Sequence, residues 1–427
     1  MPLPLPESTG KGLSAATSSD MNAFDQSVAT CVRGRFDDYV ATRRHIHRNP
    51  EPSRFEHETS RYILDRLAAV AVPARLMEGG TGVVADLAVG NAAETGPVIA
   101  LRADIDALRL QDQKSCEYRS TRDGICHACG HDCHTTMVLE GLLSTVRVLA
   151  EGATPPRPFR LRAIFQPAEE TGEGAVSMVR QGAMEGVSAI LGLHVEPELP
   201  CGTVGIRYGA LTANLDEVQI TITGRGGHSA RPHYTDDPVA AAVQLLSAYY
   251  TLLPRAVDSR SPSVFTAGKI AGGKLCNVIP DRVEILGTLR NVDHGIRATL
   301  QRRMREIAAG VSQATGAAID LQFLCPLDAV INDRAVTESL HDAAKFVVGE
   351  AGVRILDWPS LGAEDFGGFL TEAPGAMLRL GCARPGGEKW PQLHSPTFDI
   401  DEHALLIGSQ ILLLAAARVA QRVPPAS

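Results

Sequence analysis

Apolar residues Tyr62, Ile63, Leu64 and Leu67 sit between charged ones, and the spacing predicts an exposed helix over residues 53–67. Residues 83–87 and 98–102 are short apolar runs that predict strands. A helix is expected over 135–149, and residues 159–165 alternate apolar and basic positions as a strand does. The apolar run 189–195 predicts another strand. Strands and helices that alternate in this way predict an α/β layer structure with a mixed or parallel sheet.

The pattern changes near Leu211. Residues 216–223 alternate strictly and predict a half-buried strand. Asp236 or Asp237 can cap a helix that starts at Pro238 and runs to about Leu253. Strands are expected at 263–270 and 282–289, a helix at 295–315 ended by Gly316, and a last strand at 318–324. Strand-helix-strand-strand-helix-strand is the order of a small ferredoxin-like α+β sheet with two helices on one face. After Pro326 the chain returns to its first pattern. The expectation is therefore one domain from residues 25–211 and 327–427, with a second domain, 212–326, inserted into it. The apolar stretch 404–423 is interrupted by Gln410, Arg418 and Gln421, which predicts a packed C-terminal helix and no membrane span. Residues 1–24 are rich in Pro, Ser and Gly without an apolar run, and read as a disordered leader.

Composition narrows the classes. The 427 residues carry a net charge of −8, which disfavours a broad nucleic-acid surface. Nine cysteines at irregular spacing make a poor disulfide framework and fit a reducing, cytoplasmic setting where thiols stay free or bind metal.

Candidate chemistry clusters at strand ends. Cys129 and His131 are a thiolate and an imidazole two residues apart, good ligands for a borderline-soft divalent ion. Asp132 and His134 are further candidates, with His127 and Cys133 flanking them. Asp104 and Asp106 follow a strand at positions i and i+2, on one side, where open α/β sheets place ligand sites. An aspartate there can fix the tautomer of a ligating histidine. Glu169 and Glu170 also follow a strand; beside a metal, one carboxylate can neutralise the ion and the other can take a proton from water. His194 closes an apolar strand, and His394 lies far along the chain. Each cluster alone also reads as a capped turn or a solvated pair. Four strand-end clusters in one chain favour metal. In the inserted region, His228 lies in a Gly-rich turn without the Lys-Ser/Thr ending of a phosphate loop. Asn277 reads as a turn residue, and Arg290 as a surface charge or a carboxylate clamp.

Five motifs occur in order: Arg102-Ala-Asp-Ile-Asp-Ala-Leu108, His127-Ala-Cys-Gly-His-Asp-Cys-His134, Gln166-Pro-Ala-Glu-Glu170, Gly227-His-Ser-Ala-Arg-Pro-His233 and Gly362-Ala-Glu-Asp-Phe366. Together they resemble the aminoacylase, hippurate hydrolase and auxin-conjugate amidohydrolase branch of the M20 metallopeptidases, over roughly residues 36–420. The resemblance implies a catalytic metal-binding domain and an inserted lid or dimerisation domain. It implies two divalent ions per subunit (Zn, Mn, Ni or Co) held by Cys129, His131, Glu170, His194 and His394. Glu169 matches the general base and Asp106 the residue that orients a ligand. His228 matches a residue that reaches a neighbouring active site to stabilise the oxyanion, and Asn277 and Arg290 match substrate contacts. The implied reaction is hydrolysis of an N-acyl amino acid to a carboxylic acid and a free amino acid, by a homodimer or higher homo-oligomer. A dipeptidase with the same centre is the alternative, and a silent small-molecule-binding protein a more distant one. Some relatives have Ser at the position of Ala363, and the Pro-rich stretch 153–158 reads as a lengthened loop away from the chemistry.

Overall fold

The computed structural model describes residues 22–91, 95–384, 386 and 390–424. Most of the expected leader, residues 1–21, lies outside them. Its last two residues do not belong to a leader: Ala23 and Phe24 open helix α1 (Ala23–Arg33), capped by Asn22, because Phe24 and Val28 bury against the main core.

A mixed eight-stranded sheet forms the larger unit. Its strands in chain order are β1 (Ala74–Leu76), β2 (Val83–Val89), β3 (Val98–Asp104), β4 (Phe159–Gln166), β5 (Val187–Pro200), β6 (Val204–Ile206), β15 (Val353–Ile355) and β16 (Gly375–Ala383). Side by side they run β1-β2-β4-β3-β5-β16-β6-β15, with β4, β3, β5 and β16 mutually parallel. Every residue of β3 is buried, as expected of a central parallel strand covered on both faces. Ile99 and Leu101 point to one core with Leu139, Leu142, Leu405 and Leu412. Val98 and Ala100 point to a second with Met178, Phe366 and Phe369. The first core is roofed by helices α1, α2 (Phe36–Arg48), α4 (His131–Ala150), α8 (Arg334–Val348) and α9 (His403–Arg422). Helix α9 is long and apolar enough to cross a membrane, but 78% of its apolar window is buried inside the protein. Arg157, in the Pro-rich loop, donates to the carbonyls of Ala420 and Val423 and so ties that loop to the end of α9.

The remaining elements build a second sheet. Strands β8 (Asn214–Thr223), β10 (Ser263–Gly272), β12 (Arg282–Asn291) and β13 (Ala318–Leu327) lie in the order β10-β12-β8-β13, all antiparallel. Helices α6 (Pro238–Leu252) and α7 (His294–Thr315) cover one face, burying Leu245, Tyr249, Leu300 and Met304 on Val218, Ile220 and Ile222. Asp237 caps α6, and Gly316, at φ +79°, ends α7. Strands β7 (Gly209–Ala210) and β14 (Ile331–Asn332) pair where the chain leaves and rejoins the larger unit. Strands β9 (Gly227–His228) and β11 (Val278–Ile279) form a separate two-stranded antiparallel sheet.

Two elements differ from expectation near the chemistry. Helix α3 (His57–Ala68) starts at residue 57 and not 53. Ser53 is drawn to Asp106, Arg54 takes φ +71°, and Glu56 bonds the amide of Ala168. Helix α4 starts at His131, four residues early, because Gly130 turns the chain at φ +85°.

Candidate metal centre

Strand β3 and the turn after it deliver Asp104 and Asp106, and β4 delivers the Glu169–Glu170 turn beside them, since the two strands are parallel neighbours. Strand β5 delivers His194 from the other side of β3. Helix α4 lays its first turn, with His131, across these ends.

The donor atoms converge. Those of Cys129, His131 and His194 lie within 4.8 Å of one another, and so do those of Cys129, Glu170 and His394. His131, Glu169 and Glu170 form a third such group. Cys129 Sγ is 3.5 Å from His194 Nε2, and Glu170 Oε1 is 3.9 Å from His131 Nε2 and 3.7 Å from His394 Nε2. The five positions expected to bind metal therefore meet, with Cys129 common to two groups.

Hydrogen bonds aim the imidazoles. His131 Nδ1 faces the Asp106 carbonyl at 2.9 Å and its carboxylate at 3.2 Å, which leaves Nε2 to the cluster. His194 Nδ1 bonds the Val195 carbonyl at 2.7 Å, again leaving Nε2 inward. His394, at φ +62°, is held by its amide on the Ala128 carbonyl. Two neighbouring candidates are engaged elsewhere. His134 bonds Asp104 through Nδ1 at 2.7 Å and accepts the Val195 amide through Nε2 at 3.0 Å. Asp132 is turned to Arg43 and His47. His127 is buried with both ring nitrogens unpaired and is pushed down to about 3 by burial, so it is neutral.

The electrostatics fit a divalent cation. His131 Nε2 and Glu170 Oε1 are buried without a hydrogen-bond partner, a costly state unless a cation sits between such atoms. Burial pushes the Cys129 thiol up, and nearby Glu170 and Glu169 add to that. Burial raises the Glu169 carboxyl, with Glu364 and Asp365 next in effect. Burial also raises Glu170. His131 is driven well up by Asp104 and Cys129 in spite of burial. All these directions describe a pocket short of positive charge, and a mixed N/S/O donor set of this kind suits a divalent metal ion.

Beyond the expected residues, the structure adds a buried network. Arg102 reaches Asp104, Gln166, Glu364 and Asp365, and the carboxylates of Glu364 and Asp365 lie within 4.8 Å of that of Glu169. The Gly362-Ala-Glu-Asp-Phe366 motif was the sequence signal for this pair. Glu56 carried no signal, since it looked like a charged helix residue. His228, in β9, and Asn277, just before its partner strand β11, are both exposed and make no hydrogen bond or ion pair to the cluster among the described residues. Arg290 Nη1 donates to the Leu361 carbonyl at 2.6 Å.

Comparison with known proteins places the chain in a family. The model of peptidase family M20/M25/M40 matches residues 100–418. N-acetyl-L-cysteine deacetylase of Bacillus subtilis (strain 168) is 37% identical over 381 residues, 89% of this chain and 88% of that protein. IAA-amino acid hydrolase ILR1-like 4 of Arabidopsis thaliana is 35% identical over 90% of this chain and 86% of its own. Among solved structures, the Bacillus subtilis YXEP protein, a dinuclear metal binding peptidase from the M20 family, matches with a TM-score of 0.77 at 32% identity, covering 91% of this chain and 99% of that one. The chain belongs to peptidase family M20/M25/M40 and is a metal-dependent hydrolase of the amidohydrolase and peptidase kind.

Proposed function

We propose that this protein hydrolyses the amide bond of N-acyl amino acids, releasing a carboxylic acid and a free amino acid. The observation that carries the reading is the pair of donor groups sharing Cys129, with Glu169 beside them. In this reading Cys129, His131, Glu170, His194 and His394 hold two divalent ions (Zn, Mn, Ni or Co). Such ions, when bound, lower the pKa of water from 15.7 to ~7 and polarise a carbonyl oxygen.

The chain supplies the rest. Asp106 keeps the His131 proton on Nδ1, so that Nε2 offers a lone pair. The Glu169 carboxylate accepts no hydrogen bond among the described residues, and so is free to take a proton from water. It then delivers that proton to the amide nitrogen as the carbon–nitrogen bond breaks. His228, exposed and clear of the cluster in its own chain, serves the oxyanion of a neighbouring subunit. One lost donor of that kind typically costs ~10²–10³ in rate. Asn277 and Arg290 contact the substrate, with Arg290 or nearby backbone N–H groups holding its α-carboxylate. Residues 212–326 then act as lid and dimerisation domain of a cytoplasmic homodimer.

The test is a substrate panel with metal-reconstituted protein, pairing each N-acetyl amino acid with the matching dipeptide. A higher kcat/KM on the N-acetyl member of most pairs is the expected result. Preference for the dipeptides, with their free amine, would replace this reading by that of a dipeptidase.

A further inference from the structure

Asp365 opens the 3-10 turn Asp365–Thr371 and is buried. Its Oδ1 accepts from Arg102 Nη2 and Gln166 Nε2, each at 2.9 Å. Its Oδ2 accepts from Gln166 Nε2 at 2.7 Å and from the Ala175 amide at 3.0 Å. Gln166 ends β4, and Ala175 lies in the first turn of helix α5 (Gly174–Arg180). One carboxylate therefore grips both ends of the segment that carries Glu169 and Glu170.

The segment needs such tethers. Ala168 sits at φ +57°, a backbone state that costs ~1–3 kcal/mol unless the surroundings hold it. The two ends approach so closely that a Cβ on Gly174 would lie 1.8 Å from the Pro167 carbonyl oxygen. Two more carboxylates hold the middle: Glu56 accepts the Ala168 amide at 2.8 Å, and Asp106 the Glu170 amide at 3.1 Å. Every hydrogen-bond partner of Asp365 among the described residues is an N–H donor, so these bonds demand an acceptor at both oxygens. An asparagine would turn an NH₂ against them.

We propose that Asp365 is a positioning residue for the glutamate pair, clamping residues 166 and 175 so that the turn between them aims Glu169 at the donor cluster. This rests on Glu169 acting as the base. It extends to Gln166, which links Asp365 to Arg102.

The experiment compares Asp365→Asn, Glu169→Gln and the double variant, each metal-reconstituted, on the best N-acyl substrate. Asp365→Asn is expected to lower kcat by about 10²-fold, the scale of a 1 Å misplacement, with KM within about twofold and the full metal content. Amide hydrogen exchange over residues 168–175 rises in the same variant. Asp365→Asn adds little further loss in the Glu169→Gln background, because the two act as a unit. A kcat near that of the unsubstituted protein overturns the proposal, and so does a loss that tracks metal content or melting temperature. If Asp365→Asn does not fold, Gln166→Met removes one tether and is expected to show the same split; normal kcat there overturns the proposal. Full turnover by Glu169→Gln would sink the base assignment. An inactive Glu169→Gln beside a fully active Asp365→Asn would sink the positioning role alone.

Discussion

Glu169 differs from its neighbour Glu170 by what surrounds it. Both lie beside His131, but Glu170 takes its backbone anchor from Asp106 and also faces His394, whereas Glu169 also faces Glu364 and Asp365. Burial first, and then crowding by Glu364 and Asp365, make the Glu169 carboxyl hold a proton more readily than usual. Glu169→Gln keeps the size and removes the proton carrier. Turnover should fall by ~10²–10⁴-fold, the range for a lost general base, while elemental analysis finds the metal content unchanged. Near-normal turnover would end the assignment. At this scale the sequence was informative wherever chemistry follows from residue type: a Cys–His pair, adjacent glutamates, an Asp-x-Asp after a strand. Residue type alone could not separate His131 from His134, or Glu170 from Asp132, and the choice of His131 and Glu170 came from the motif resemblance. Those pairs are alike as donors and differ only in which hydrogen bonds engage them. Glu56 and Asp365 were invisible as tethers because their role exists only once distant segments meet.

The first turn of α4 decides whether the donors meet at all. Gly130, at φ +85°, lets the chain leave Cys129 and enter the helix at His131. A Cβ there would also lie 2.4 Å from Val195 Cγ2, on the strand that carries His194. Gly130→Ala therefore combines a left-handed backbone penalty of ~1–2 kcal/mol with overpacking of ~1–3 kcal/mol. Both fall between two donor-bearing elements. The expected result is a lower melting temperature together with weaker metal retention during dialysis; wild-type values of both would show that the turn relaxes freely. Periodicity placed this helix four residues late because His131, Asp132 and His134 are polar. Polar residues at a helix start read as a loop until their buried partners are known. The same blindness set α3 too early, where Ser53 and Glu56 leave the helix for Asp106 and Ala168.

Across the whole molecule, segments far apart in sequence are tied by buried charge. Arg43, on α2, is fully buried and reaches Asp132, at the start of α4, and Asp399, just before α9. Asp399 also accepts the Tyr118 hydroxyl at 2.6 Å and the Ile400 amide at 2.9 Å. Strands β2 to β5, the inserted sheet and helix α9 were readable from periodicity, but α8 and the central strand β16 were not read, and neither were these ties, because Arg43 and Asp399 look like surface charges in any local window. Burial opposes the charge of Asp399, but Arg43, Tyr118 and the Ile400 amide outweigh it and hold the carboxyl below its usual 3.8. A carboxyl depressed in the folded state contributes stability that is fully present above 3.8 and is lost as pH falls through the folded value. Removing the charge while leaving Arg43 buried should cost ~2–4 kcal/mol near neutral pH. In urea titrations of Asp399→Asn against the unsubstituted protein, the difference should therefore stay level from neutral pH down to about 5 and shrink only as pH falls below that carboxyl range. A difference that grew toward acid pH, or one already absent at neutral pH, would mean that Asp399 is ordinary surface charge and that α2 is held to the C-terminal segment by its other contacts, such as Arg44 on Glu402 and Tyr39 on Ser409.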